Sequence, residues 1–143
     1  MSATNTTETA VLNLIFKGTT WANIADNAAS SPATSFYISL HTADPGETGD
    51  QTTSESAYTG YARVAVTRDG TGWTVSGGSA SNTAQITFGQ CTASPVNITH
   101  VGLGLASSST GTLLLSNALS STLTMAAGVT PIFSAGELVF TCE

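Results

Sequence analysis

Hydrophobic and polar residues alternate along residues 36–41, and the alternation ends at an acidic turn. Phe36, Ile38 and Leu40 fall on one side of an extended chain and the residues between them fall on the other, a period of two that is typical of a half-buried strand. The sequence Asp-Pro-Gly follows at residues 44–46. Because proline fixes φ and lacks a ladder donor, and glycine accepts positive φ, the strand is predicted to leave the sheet at this turn.

The rest of the chain consists of short apolar or alternating runs, separated by Gly, Ser, Asn, Asp and Pro at intervals of about ten residues. This pattern is typical of an all-β sandwich or barrel and predicts roughly eight strands. They lie near residues 36–41, 60–67, 71–76, 83–88, 97–105, 111–116, 119–125 and 137–142, with a further extended piece considered around 129–133. The pair Asp69-Gly70 predicts a hairpin turn between the second and third strands, and residues 76–78 predict the next turn.

No helical crossover segments separate these strands, and no repeat of constant period is visible. The sequence therefore predicts an all-β fold: an antiparallel two-sheet sandwich, jelly-roll-like, with a short N-terminal α-helix. The helix is predicted over residues 7–17, where apolar residues recur with a period of 3.6. Thr6 or Thr7 is expected to cap its start, and Gly18 is expected to end it.

The length of 143 residues predicts one compact domain, with an N-terminal arm and helix in residues 1–34 and the sandwich in residues 35–143. Only 8% of the residues are charged, against about a quarter in an average soluble domain. A neutral, hydroxyl-rich surface of this kind favours packing against other protein.

The formal charge of −6 comes from nine acids against Lys17, Arg63 and Arg68. No basic patch can neutralise several phosphates, so direct nucleic-acid binding is not expected. The apolar run at residues 10–16 is interrupted and too short to span a bilayer, so no membrane association is expected.

Cys91 and Cys142 match no zinc or Cys-x-x-Cys spacing. Free thiols are the interpretation that synthesis in a reducing compartment favours, and a bridge between adjacent strand ends is the alternative.

Residues with catalytic chemistry are few. His41 and Asp44 lie three apart at the turn, but the sequence shows no nucleophile beside them and no Gly-x-Ser-x-Gly motif. We therefore predict no enzymatic activity, no catalytic residues and no cofactor. His100, on the strand near residues 97–105, is interpreted as a polar or interface residue.

The turn is followed by acids at Asp44, Glu47, Asp50 and Glu55, a concentration that allows three interpretations. Calcium binding is one, but the spacing is not the Asp-x-Asp-x-Asp-Gly pattern of a dedicated loop, and no metal site is predicted. A solvated acidic loop is the second. Contact with Arg or Lys of a neighbouring subunit is the third.

Arg63 and Arg68 have two candidate roles, either local pairing with an acid such as Asp69 or Glu55 or an intersubunit bridge. Aromatic and arginine residues dominate interface hot spots, which extends the set of candidates. The candidate interface residues are Trp21, His41, Asp44, Glu47, Asp50, Tyr61, Arg63 and Arg68.

The strand Leu-His-Thr-Ala-Asp-Pro-Gly at residues 40–46, the acidic loop and the sequence Gly-Tyr-Ala-Arg at residues 60–63 carry a resemblance. Together with the later strands at 98–105 and 111–125, they resemble a family of small virion structural proteins of tailed bacteriophages, over most of residues 7–142. Members of that family are head decoration, cement or tail-fibre-like proteins, so the resemblance implies a structural function without catalytic residues.

The expectation that follows is a capsid decoration or cement protein. It would bind across neighbouring subunits of the major capsid protein as a dimer or trimer and stabilise the DNA-filled head by linkage to the assembled state. The resemblance thus implies synthesis in the host bacterial cytoplasm and a place on the capsid surface of the virion. A tail-fibre or receptor-binding β-sandwich module is the alternative.

Overall fold

A computed structural model of the chain describes residues 3–22, 24–25, 28 and 31–141. Within these residues the structure is mostly β, with antiparallel sheets and one short N-terminal helix, which confirms the predicted all-β sandwich class. The elements are α1 (Asn5–Lys17), β1 (Ser35–His41), β2 (Val64–Thr67), β3 (Trp73–Ser76), β4 (Ser79–Asn82), β5 (Ile86–Thr87), β6 (Asn97–Gly104), β7 (Leu113–Thr124), β8 (Ile132–Phe133) and β9 (Val139–Thr141).

The chain divides into two compact units. The first unit comprises Met1–Thr34, Thr67–Ile86 and Phe133–Glu143, and the second comprises Ser35–Val66 and Thr87–Ile132. The predicted boundary between residues 34 and 35 stays a prediction. No helix among the described residues is long and apolar enough to cross a membrane.

Helix α1 belongs to the core of the first unit. It begins two residues before the predicted start, because the Thr4 side chain, and not that of Thr6 or Thr7, accepts from the backbone N–H of Thr7. Gly18 ends it in the left-handed conformation at φ 63°, as predicted. The Phe16 ring is fully buried against Trp73 at a centroid distance of 4.8 Å, so the helix helps to close the core formed with β3, β4 and β9.

The second unit is built around a four-stranded sheet in the order β2-β1-β6-β7. The strand β1 pairs with β6 antiparallel, with Ile38 opposite Leu103 and both side chains fully buried. The burial of β1 extends to both faces at its end, because Ser39 and His41 are also buried. This corrects the expectation of a half-buried strand, and the residues that cover the second face form the site described below.

The turn at Asp69-Gly70 forms as predicted, but it is not a hairpin. The Asp69 Oδ1 accepts from the backbone N–H groups of Thr71 and Gly72, which shapes the turn locally. The strand before it, β2, pairs in the four-stranded sheet, whereas β3 pairs with β4 and β9 in a three-stranded sheet. The hairpin lies one turn later, between β3 and β4, at the predicted residues 76–78.

Two predicted strands, residues 111–116 and 119–125, are one continuous element in the structure, β7. Its pairing with β6 is interrupted, because His100 lies opposite Ala118 while Ile98 lies opposite Leu123. Residues 119–122 of β7 therefore face a single residue of β6, Thr99. The break that the sequence indicated, at residues 117–118, lies instead where β7 still pairs regularly with β6, so the prediction of two strands was wrong.

Candidate functional site

The acidic loop, residues 44–55, is folded back onto the end of β1. The backbone N–H of Thr42 donates to the Ser54 carbonyl at 2.8 Å, and that of Ser56 donates to the Leu40 carbonyl at 2.8 Å. Within the loop, the Asp50 carboxylate accepts from the backbone and the hydroxyl of Thr52, and these hydrogen bonds lower the pKa of Asp50. The loop is therefore an ordered structure whose ends are tied to the sheet.

An ion pair between Arg63 and Glu55 fixes the far end of this loop. The Arg63 Nε and one terminal nitrogen donate to the two Glu55 oxygens at 2.6 and 2.7 Å, and the Arg63 side chain is only 2% exposed. The guanidinium also donates to the carbonyls of Ala106 and Ser109 at 2.9 Å. The pairing with Glu55 raises the pKa of Arg63 and confirms the predicted local partner.

Tyr61 joins the same cluster. Its hydroxyl donates to Glu55 Oε1 at 2.8 Å and accepts from the backbone N–H of Leu40 at 3.1 Å. The ring is stacked on Phe88, with 8° between the ring planes. Burial raises the pKa of Tyr61 well above its usual value, so the hydroxyl stays protonated and serves as a donor to the carboxylate.

His41 is fully buried under the acidic loop. Its Nδ1 lies 2.9 Å from the Thr53 carbonyl and its Nε2 lies 2.8 Å from the Ser39 hydroxyl, so a neutral ring can donate to the carbonyl and accept from serine. Burial lowers the pKa of His41, which favours this neutral form. The ring has space because residue 102 is glycine: a Cβ there would lie 2.6 Å from His41 Nε2.

Gln51 anchors the middle of the acidic loop in the same way. Its side chain is fully buried, and its Oε1 accepts from the backbone N–H of Ala106 at 2.8 Å. A Cβ at Gly104 or Gly111 would overlap the Gln51 side chain. Gln51, like His41 and Arg63, therefore holds the acidic loop on the sheet.

A groove of about 550 Å³ lies between the acidic loop and β7. The loop supplies two exposed carboxylates, Asp44 and Glu47, and β6 supplies the half-buried His100. The other wall is the first half of β7. The groove is lined by Asp44, Gly46, Glu47, Gly49, His100, Leu113, Leu114, Leu115, Ser116, Asn117 and Ala118.

The strand β7 is the outermost strand of the four-stranded sheet, and in the described part of the chain no strand pairs with its other edge. Most of its residues are exposed, including Leu114 at 40% and Leu115 at 39%. None of its residues is charged. A long, uncharged edge of this kind is a template for pairing with another chain.

The candidate interface residues separate into three groups: residues that shape or anchor the acidic loop, residues that line the groove, and residues of the first unit. His41, Tyr61 and Arg63 are internal anchors, and Asp50 shapes the loop by its own hydrogen bonds. Asp44 and Glu47 are exposed and share the groove. The roles of all of them at an interface stay predictions.

Trp21 and Arg68 belong to the first unit. Trp21 is half-buried and lines a groove along α1, and its backbone bridges to Ala25. Arg68 donates to the carbonyls of Leu14 and Ile15 near the end of α1, where a cation is favoured by the helix dipole. Arg68 thus contacts backbone carbonyls of α1 and of Ala33.

Among the described residues, no group of three or more His, Cys, Asp or Glu side chains is placed so that it could hold a metal ion. Cys91 is buried with its thiol 3.4 Å from the Ala93 carbonyl, and the prediction about its pairing with Cys142 lies outside the described residues.

The groove between the acidic loop and β7 is suited to binding. It offers two carboxylates, a histidine, and a strand edge with exposed leucines.

Sequence reasoning missed the residues of β7. It recognised the apolar runs as strands, but an edge position depends on which strands pair, and pairing is not a local property of the sequence. One signal of an exposed surface for protein contact was available in the sequence: residues 70–136, which include β7, contain no Asp, Glu, Lys or Arg.

Comparison with protein families identifies the chain. Residues 2–141 match the family model described as podophage GP4 fiber I protein gp80. The comparison with curated proteins gave no match. The match covers nearly the whole chain, so the protein belongs to this family and is a structural protein of a phage virion.

Proposed function

From this membership we propose that the protein is a non-enzymatic component of a fibre of the phage virion, and that it binds neighbouring virion proteins through the groove and the exposed edge of β7. The family description favours the fibre alternative over capsid decoration. The protein is expected to act by non-covalent contact, because its buried histidine, tyrosine and arginine are used to fold the acidic loop.

The observation that supports this proposal is the uncharged edge strand on a well-packed sheet. The strand β6, to which β7 is paired, is fully buried at Ile98 and Leu103, so β7 is presented on a rigid support. Native proteins usually block such edges with charge, proline or a covering element. An edge with exposed Leu114 and Leu115 is therefore best explained as a surface that other protein covers in the assembled particle.

The composition supports the same conclusion. A surface with few charges has little to keep neighbouring molecules apart, and permanent interfaces are depleted of charge at their centres. The stretch without charged residues, 70–136, includes every strand from β3 to β8.

Location on the particle tests the proposal. Particles of the phage that encodes the protein are to be labelled with a gold-conjugated antibody against the full chain and imaged by electron microscopy. We expect labelling at the fibres, and we expect particles made without the protein to lose adsorption to host cells. Labelling distributed over the whole head would instead support capsid decoration, with the major capsid protein as partner. A protein absent from purified particles would overturn the virion assignment.

A further inference from the structure

We propose that residues 113–117 of β7 pair with an extended segment of a different virion protein, and that this segment carries Lys or Arg side chains that contact Asp44 and Glu47. The inference rests on the proposed function and adds the chemistry of the partner. It assigns two recognition elements to the groove: a backbone edge for affinity and two carboxylates for selection.

The backbone of β7 offers pairing groups over a defined length. In an antiparallel strand, every second residue directs its N–H and C=O away from its partner, so residues 113–117 present such groups at the free edge, with one irregularity at Leu114, where the register with β6 shifts between Leu103 and Gly104. The Ala118 N–H is already bonded to Asn117 Oδ1 at 2.9 Å. Beyond it, residues 119–122 are out of regular pairing with β6. The edge available to a partner strand is therefore about five residues long, a usual length for a strand.

The side chains along this edge are compatible with a partner strand. Leu114 and Leu115 are about two-fifths exposed, and Ser116 and Asn117 are polar but neutral. Opposite charges are not required for pairing, and like charges directly opposite would oppose it. An incoming strand therefore meets no electrostatic barrier from β7 itself.

The acidic wall determines what the partner carries. Asp44 and Glu47 are exposed, and they take no part in the ion pair between Arg63 and Glu55. The turn that holds them is fixed, because the Asp44 carboxylate accepts from the backbone N–H of Gly46 at 2.9 Å and a Cβ at Gly49 would overlap the Pro45 carbonyl. Two exposed carboxylates on this turn, beside a neutral edge, favour a strand with basic residues.

A second copy of this chain fits the groove poorly. Arg63 is paired and almost fully buried, and Arg68 is bound to carbonyls of α1. A copy docked at β7 would thus bring further carboxylates, from a chain of net charge −6, with Lys17 as its remaining cation. Like charges would accumulate at the interface, so charge complementarity points to a different protein.

The test combines charge variants with amide hydrogen exchange. The probe is a particle of the same phage assembled without this protein, and binding of the full chain is measured by co-sedimentation. The variant Asp44→Asn with Glu47→Gln removes both charges and keeps the acceptor for Gly46. The control, Glu8→Gln with Glu137→Gln, changes the net charge equally but at residues outside the groove.

We expect the groove variant to bind about tenfold more weakly at low salt and the control to bind like the wild type. Binding of the wild type should also weaken as salt is added. In the bound protein, amide exchange should slow at residues 113–117, while those residues exchange faster in the free protein.

The alternative outcomes are distinct. Binding to particles with unchanged exchange at β7, or with no effect of the groove variant, would overturn this inference and the groove as the binding surface, and would leave the assignment to a fibre intact. A free protein that dimerises with protected β7 amides would assign the edge to a second copy and overturn it as well. Failure of the wild type to bind any particle would contradict both proposals.

Discussion

Arg63 joins two segments of the second unit that are far apart in sequence. Its guanidinium contacts the Glu55 carboxylate and the carbonyls of Ala106 and Ser109, so the acidic loop and the turn after β6 depend on one side chain. Breaking a buried ion pair by removing one partner generally destabilises a protein by about 3–5 kcal/mol. Glu55 is partly exposed, at 17%, so a somewhat smaller effect is expected here.

The planar fork of arginine is essential in this arrangement, and Arg63→Lys tests it. A lysine keeps the charge but cannot donate to both Glu55 oxygens and two carbonyls in the same geometry. We expect the free energy of unfolding to fall by about 2 kcal/mol, measured by urea denaturation. The control is Lys17→Arg, the opposite substitution at a half-buried lysine, and it should change the free energy of unfolding little. An unchanged stability of the Arg63 variant would show that the cluster contributes nothing to folding.

His41 makes the stability of the protein depend on pH in a defined direction. Its pKa in the fold is lowered by burial from the ordinary value of 6.5, so the unfolded chain takes up the proton first as the pH falls. The contribution is therefore complete above about pH 6.5 and is lost as the pH falls from there towards the lower pKa of the folded state.

We expect His41→Gln to flatten this profile. In urea denaturation between about pH 7.5 and 5.5, the wild type should lose more stability on acidification than the variant does. His100→Gln is the matched control and should retain the steeper profile. Equal slopes for the wild type and the His41 variant would mean that His41 is not held neutral by its surroundings.

At the scale of elements, the close approach between the acidic loop and β6 depends on glycine. Gly102 and Gly104 lie on the buried end of β6 and leave space for the side chains of His41 and Gln51. The loop covers β1 because these strand positions lack a Cβ. This packing explains why both faces of β1 are buried at its end.

Gly104→Ala should therefore destabilise the protein. A methyl group would overlap the buried Gln51 side chain, and overpacking of this kind generally costs about 1–3 kcal/mol. The control is Gly70→Ala, because its new Cβ would be no nearer than 3.7 Å to the Lys17 side chain. Neither glycine has a positive φ, so backbone strain does not separate them. Thermal unfolding measures both, and equal stabilities would disprove the close packing.

The edge of β7 permits a direct test of the proposed interface. Leu115→Lys places a charge on the free edge and should reduce binding to particles that lack the protein, because charge is what native proteins use to block edge pairing. Leu105→Lys is the matched control, since Leu105 is exposed to a similar degree, 41% against 39%, and lies outside β7. Both variants should fold. Equal binding by the two variants would exclude the edge from the interface.

At the scale of the whole molecule, the charge of −6 is confined to part of the sequence. All nine acids and three cations lie outside residues 70–136. The uncharged stretch contains β6 and β7, whereas the acidic loop and Arg63 lie outside it.

Head stability separates a fibre component from a capsid cement. A cement binds the assembled shell, so its loss should lower the temperature at which filled heads rupture. A fibre component contributes nothing to that equilibrium, so we expect particles made without this protein to rupture at the same temperature as complete particles. The release of DNA on heating, detected with an intercalating dye, measures the difference. Earlier rupture of the depleted particles would favour capsid decoration.

Individual elements show where sequence reasoning succeeded and where it failed. The turn at Asp69 was predicted correctly, since an aspartate that bonds the backbone two residues on is a local device. The hairpin inferred from it was wrong, because β2 and β3 pair with different strands. A turn motif specifies the direction of the chain but not the partner of the strand that follows.

The sequence by itself determined the features that depend on near neighbours. The strand at residues 36–41, the helix ended by Gly18 and the small number of charges could be inferred from it, whereas the pairing of Arg63 with Glu55 was one of the roles it left open. These follow from backbone sterics, side-chain periodicity and charge, which act over a few residues or over the composition as a whole.

Only the tertiary structure decided which of these residues are exposed. It buried His41 beneath the acidic loop, because Gly102 and residues 51–56 are brought together by pairing between distant strands. It also made β7 an edge strand and opened a groove between that edge and Asp44 and Glu47. The physical reason is that burial and edge position depend on long-range strand pairing, whereas the pattern of a strand is the same whether or not another strand lies beside it.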